Sequence, residues 1–238
     1  MKSVSIITIT KDDGALLDNT VRSVRAQTAF DRIEHVIVDG GTTPLPRYEG
    51  VDVRRMPPRG VYAAINEGIR CSSAPIVGMV HGNDIFASDR VVEHVLDVFD
   101  ADPELDFVYG SLVYRNCSSG KICRKYDSGK FKPELLDCGF GPAHPTLFAR
   151  RRVFESVGLY DESFRISGDF EMWLRLFAPQ NSFKWHFEPE VMTVMTKGGI
   201  SSRLSNQLTV NVREKLRALR MHGHPANIFS LLRRFFYL

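Results

Sequence analysis

The sequence predicts an α/β protein built on a mostly parallel sheet flanked by helices, with a helical extension at its C-terminus. Three observations carry this prediction. Short β-branched runs alternate with longer segments of helical spacing through residues 4–114. The runs are almost continuously apolar, as strands are when both faces of a sheet are covered. Polar clusters close three of them: Thr8, Thr10, Lys11 and Asp12; Asp39, Gly40 and Gly41; and Gly82, Asn83 and Asp84. Open α/β sheets collect ligands at that carboxyl edge.

Taken in order, VSIITIT (4–10) is the first strand, its β-branched side chains suiting a pleated backbone, and a helix follows over 14–28. EHVIVDGG (34–41) gives the second strand and VDVRRM (51–56) a short third. A helix over 60–71 leads to the strand PIVGMVHG (75–82), then to a helix over 88–101 and the strand LDFVYGSLVY (105–114). Such alternation builds a parallel sheet. Past residue 114 it weakens, and residues 115–133 read as a polar connector, either a loop or a hairpin. PTLFARRRVFESVG reads as a short strand running into a helix that stops at Gly158, and SGDFEMWLRLF starts another with Ser167 at its N-cap. Leu204, Leu208, Val212, Leu216 and Leu219 form a helical stripe through 204–222. The chain therefore divides into a domain over 1–203 and a basic amphipathic extension over 204–238.

Composition sets the class. The 238 residues and 27.0 kDa fit one large domain with an appendage. A hydrophobic share of 43% with 25% charged residues belongs to a globular chain rather than a disordered one. The net charge of +3 is uneven, because residues 201–238 carry seven basic side chains against Glu214 alone. Four cysteines, Cys71, Cys117, Cys123 and Cys138, lack the paired spacing of a zinc site and are too few for a disulfide scaffold, so they read as reduced cytosolic thiols. MKSVSIITIT suits a first strand better than a signal peptide, and no run of about 18 apolar residues predicts a membrane span.

No G-x-G-x-x-G follows the first strand and no G-x-x-x-x-G-K-[ST] occurs, which removes two familiar phosphate cradles. The segments SIITIT, IEHVIVDGGTT, RGVYAAINEG, IVGMVHGNDIF, AHPTLFARR, GLYDESFRISGDFEMWLRL and GGISS remain, in that order, over residues 3–203. Together they resemble the family 2 glycosyltransferases of the GT-A fold, notably the branch that assembles bacterial polysaccharides. The resemblance implies a Rossmann-like, mostly parallel sheet and a metal-dependent inverting transfer. A sugar would pass from a nucleotide diphosphate-sugar, UDP-sugar favoured, to a hydroxyl of a lipid-linked glycan.

The resemblance also implies roles. Asp39 binds the base, and Thr8 and Thr10 line its pocket; Lys11 stands where relatives often carry a Tyr stacked on uracil. Arg59, before the helix over 60–71, meets the diphosphate, and Tyr62 and Asn66 follow on that helix, Asn66 making a polar contact. Asp84 holds Mn²⁺ or Mg²⁺ between diphosphate oxygens, and Asn83, in the place of the first carboxylate of the D-x-D-like signature, binds the nucleotide-sugar through a hydrogen bond to ribose. Asp169 is the base that deprotonates the acceptor, with Glu171 as the fallback and Gly168 where a Glu often stands. His144 matches a residue near the acceptor, while a core role is equally open to it. KGGISSR (197–203) resembles a loop that closes over the donor, with Arg203 able to meet phosphate.

The competing reading is a non-catalytic sugar-nucleotide-binding or scaffolding protein of the same fold. HPANIFSLLRRFFYL closes the chain, and a short basic helix rich in Phe and Leu over 225–238 suits either an anionic bilayer surface or packing on the domain. Nucleic acid has no recognition motif here. The expected place is the cytoplasm, in peripheral contact with the inner face of the cell membrane.

Overall fold

The structure, a computed structural model, describes residues 2–116, 119–197 and 204–233. Its first half follows the β-branched runs closely. β1 (Val4–Thr10) is flanked by β2 (Ile33–Asp39) and β4 (Ile76–Met79), and β3 (Val51–Arg55) lies outside β2. All these pairings are parallel, with Thr10 opposite Asp39 at the carboxyl edge. α1 (Ala15–Arg25) connects β1 to β2, and α2 (Val61–Cys71) connects β3 to β4. α2 begins at Gly60, whose φ of 107° is a conformation that favours glycine.

Beyond β4 the sheet becomes mixed. β5 (Asp84–Phe86), α3 (Val91–Ala101) and β6 (Phe107–Asn116) are followed by β7 (Ile122–Tyr126), which pairs with β6 antiparallel. The polar connector is thus a hairpin. β8 (Phe148–Arg150) runs straight into α4 (Arg151–Val157), which stops at Gly158 as expected, and α5 (Gly168–Leu176) follows. β9 (Trp185–Lys197), α6 (Leu204–Met221) and α7 (Ile228–Arg233) complete the chain. Among the described residues nine strands form one sheet, in the order β3-β2-β1-β4-β8-β6-β9-β5 with β7 outside β6. The parallel arrangement holds on the β3-to-β4 side, whereas β8 is antiparallel to both β4 and β6.

Apolar side chains fill both faces. Ile7, Tyr62, Ile65, Phe107, Phe154, Met172 and Trp173 belong to one buried cluster, and Val4, Ile6, Val92, Leu96, Phe99 and Phe148 to another. The first cluster also takes Ala218 and Leu219 of α6 and Leu231 of α7. Val212, Leu216, Ala218, Leu219 and Leu231 of the C-terminal segment therefore pack on the domain. Among the described residues no helix is long and apolar enough to cross a membrane, and Cys71, Cys123 and Cys138 are free thiols.

Candidate active site

The turns that leave β1, β2 and β4 meet at the carboxyl edge. Gly40 N donates to Thr10 O at 3.0 Å and Gly82 N to Ile9 O at 2.9 Å, so backbone bonds join all three. Asp39, at the end of β2, is buried, and its Oδ1 accepts from Gly41 N at 2.7 Å. A side chain on Gly41 would put its Cβ 2.8 Å from Asp12 Oδ1 and 2.9 Å from Asp39 Oδ1, so this turn needs glycine. Asp39 Oδ2 is buried and accepts no hydrogen bond within the protein, with Arg55 Nε 3.3 Å away but not donating to it. A buried carboxylate oxygen without a donor suits a base or ribose hydroxyl.

The β1 turn does different work from that expected. Thr10 Oγ1 donates to Asp13 Oδ2 at 2.7 Å, and Asp12, at φ 56°, accepts from Thr42 N at 2.8 Å and Thr43 N at 3.2 Å. Those amides hold the Asp12 carboxyl below its usual range. Thr8 lies further back along β1, on the same face as Thr10: it is fully buried, its hydroxyl bonded to His35 Nε2 at 3.0 Å. It does not line the edge. Lys11 is exposed at the turn and Arg59 is exposed ahead of α2.

Gly82, Asn83 and Asp84 form the turn between β4 and β5. Asp84 N closes this turn on His81 O at 2.9 Å, while Thr20 Oγ1 donates to Asp84 O at 2.7 Å. The Asp84 side chain is 3% exposed. Burial pushes its carboxyl up to about 7, a bond from Thr196 N opposes this and the nearby Asp13 adds to it. Asn83 Oδ1 is also buried and unbonded. An amide oxygen and a buried carboxylate are hard donors that suit Mg²⁺ or Mn²⁺. Among the described residues no cluster of three or more His, Cys, Asp and Glu forms a complete cage. These two residues therefore fit an ion whose remaining ligands come from diphosphate oxygens and water.

Across from this turn, Asp169 sits in the first turn of α5. Its Oδ1 accepts from Phe170 N at 2.7 Å, with Tyr62 Oη 3.5 Å away. Burial raises its carboxyl above the ordinary 3.8, and the Lys215 ammonium opposes that rise. Gly168 is there for packing: a Cβ would lie 2.7 Å from the Tyr62 ring, so the carboxylate often found at this place in relatives has no room. Burial raises the Tyr114 hydroxyl, the Arg124 guanidinium opposes this, and the Asp84 and Asp169 charges add to it, so both carboxylates act on the same side chain electrostatically. Glu171, the fallback base, is engaged elsewhere. It is 3% exposed, Arg175 Nη2 and His222 Nε2 each lie 2.8 Å from it, and two residues along a helix turn it away from Asp169.

Two further expectations are corrected. Asn66 is buried, with Nδ2 donating to Tyr160 O and Oδ1 accepting from Tyr160 N, both at 2.9 Å, so its amide clamps the 160 segment instead of reaching a ligand. His144 is buried behind the site, its Nε2 2.8 Å from Tyr160 Oη and its ring stacked 6.3 Å from His81; burial lowers both imidazoles to about 4. That is the core role left open for it. Ser167 occupies the N-cap position of α5 without a capping side-chain bond. Arg203 and most of KGGISSR lie outside the described residues. Sequence reasoning missed Asp13, whose only signal was the doubled acid of KDDG, and Glu214 and Lys215, which lie far along the chain.

The profile described as Glycosyl transferase family 2 matches residues 5–158. An uncharacterized glycosyltransferase of Mycobacterium tuberculosis is 29% identical over 187 residues, covering 73% of this chain and 68% of that protein. A PGL/p-HBAD biosynthesis glycosyltransferase of Mycobacterium bovis is 25% identical over 211 residues, covering 84% and 79%. Among solved structures, S. aureus TarS 1-349 superposes with a TM-score of 0.73 at 13% identity, over 100% of this chain and 72% of that one. The same TarS fragment in complex with UDP-GlcNAc gives 0.68 at 14% identity, over 92% and 66%. The family profile spans β1 through α4, the stretch that builds the Asp39 and Asp84 turns, and the fold agrees: this chain belongs to glycosyl transferase family 2 and has the GT-A architecture.

Proposed function

We propose that this chain transfers a sugar from a nucleotide diphosphate-sugar, UDP-sugar favoured, to a hydroxyl of a lipid-linked glycan in cell-surface polysaccharide assembly, with inversion. The observation that carries this reading is the presence of two carboxylates raised by burial, Asp84 at the head of β5 and Asp169 in the first turn of α5, beside the Asp39 turn at the carboxyl edge. It is supported by TarS, solved with UDP and with UDP-GlcNAc, and by the PGL/p-HBAD biosynthesis relative.

In this mechanism Asp39 accepts from the base or ribose through Oδ2, with Thr10 holding the turn beside it. Arg59, near the N-terminus of α2, and Arg203 meet the diphosphate. Asp84, with the Asn83 amide beside it, would hold Mn²⁺ or Mg²⁺, which would neutralise charge on the departing diphosphate. Asp169 takes the proton of the acceptor hydroxyl while that oxygen bonds the anomeric carbon and the bond from carbon to diphosphate breaks on the opposite face. Burial makes Asp169 a stronger base, and the Lys215 ammonium opposes part of that rise. Activity should therefore fall on the acid side at a pH above the ordinary aspartate value of 3.8. A cytoplasmic enzyme resting on the inner membrane face fits this acceptor.

The test is thermal stabilisation by UDP, GDP and dTDP, each with Mn²⁺ and with EDTA, beside the turnover of Asp169→Asn. We expect a metal-dependent rise with UDP, since binding to the native state alone stabilises it. Asp169→Asn should lose transfer while keeping that rise. Wild-type turnover by this variant removes Asp169 from the mechanism, and no shift with any nucleotide favours a non-catalytic protein.

A further inference from the structure

We propose that α6 completes the active site, with Glu214 positioning Asp169 by holding the three peptide groups that precede its helix. The inference rests on the reading of Asp169 as the base. Amides of a loop have no ladder partner and need an acceptor elsewhere. Ahead of α5 they converge on one side chain: Glu214 Oε1 accepts from Arg165 N at 2.7 Å, and Oε2 from Ile166 N at 2.9 Å and Ser167 N at 2.8 Å. Bonds from amides to a charged carboxylate are of the strong class.

The same segment is held from the opposite side. Ile166 O accepts from Tyr62 Oη at 2.5 Å, so α6 grips the N–H of residue 166 while α2 grips its carbonyl. Asn211 and Arg217 extend the contact, the first through its carbonyl to Ser167 Oγ at 3.4 Å and the second to Ser163 Oγ at 2.6 Å. Residues 211, 214 and 217 recur every three positions and so form one polar stripe of α6 along the 163–167 loop. Lys215, beside this stripe, donates to Gly139 O and lies 4.6 Å from the Phe170 ring centroid, which places its cation near Asp169. The base thus stands two residues beyond a segment fixed on both sides, and α6 supplies one of those sides.

The full chain and its Glu214→Gln, Glu214→Ala and Asp169→Asn variants test this. The readouts are Tm, UDP affinity in Mn²⁺, UDP release from UDP-GlcNAc, and the ¹³Cγ NMR titration of Asp169, assigned with Asp169→Asn. The titration needs no donor sugar. We expect Glu214→Ala to slow UDP release about 10- to 100-fold, the order of loss that a small misplacement of a catalytic group causes, with Glu214→Gln between it and wild type. UDP affinity should stay within about twofold. The Asp169 titration should move toward the ordinary aspartate range in both Glu214 variants as the loop opens to water. An unmoved titration, or a loss of UDP affinity in step with Tm and rate, overturns the inference, the latter by making Glu214 a general structural brace. Wild-type turnover in Asp169→Asn instead strikes the reading of the base itself.

Discussion

Asp84 shows how one side chain can oppose the fold that holds it. Its carboxyl titrates near 7 in the folded protein, well above the ordinary 3.8, because burial disfavours its charge. The native state therefore keeps a proton that the unfolded chain has released. Stability falls as pH rises from about 4 to about 7, and the whole penalty is present above 7. One pKa unit corresponds to about 1.4 kcal/mol, so the effect is large enough to measure. Asp84→Asn should raise Tm by several degrees in metal-free buffer at pH 8 and by far less at pH 4, where the penalty is only beginning; an equal response at both pH values contradicts this account. Asp39, Asp84 and Asp169 were legible in the sequence because each sits in a distinctive local pattern, DGG, GND or SGDF. Thr8, Asn66 and His144 match their patterns equally well but are packed against protein partners in the structure, because burial, which decides whether a polar group faces ligand or core, depends on distant segments.

At the scale of elements, the β-branched runs specified β1, β2, β3 and β4 to within a few residues, since parallel strands covered on both faces carry an apolar signature of their own. β9 escaped because WHFEPEVMTVMTK carries Pro189 and charged residues, and its register with β6 shifts around Ser111. Pairing that depends on a strand about 80 residues earlier leaves little local signal. The stripe of α6 was legible as a helix, but its polar face, which braces the 163–167 loop, needed the structure. α7 docks through Leu231, which is 3% exposed and reaches over Gly139. Leu231→Ala should cost about 2–4 kcal/mol in chemical denaturation, the range for a truncated buried leucine, with UDP affinity unchanged. A cost below about 0.5 kcal/mol would mean that α7 contributes no packing.

Across the whole molecule, charge and apolar exposure gather at the C-terminal end. Ile228 and Phe229 are 53% and 76% exposed beside the buried Leu231, while the residues after 233 lie outside the described structure. An anionic bilayer would meet both features of this end, its apolar side chains and its basic residues. Full-length protein should pellet with anionic vesicles more than a chain ending at Gly223, and less so as salt is raised; equal pelleting of the two chains refutes a membrane role for the tail. The β3-to-β4 side of the sheet carries the turns assigned to the nucleotide, and the mixed side carries α5 and its base. The two sides do not part cleanly, however, because Asp84 heads a strand that pairs with β9, opposite Met195. A recombinant enzyme that took its acceptor side from a relative would thus inherit a foreign neighbour for Asp84. Changes in acceptor preference and changes in metal demand should then arise together along this lineage, as two results of a single exchange.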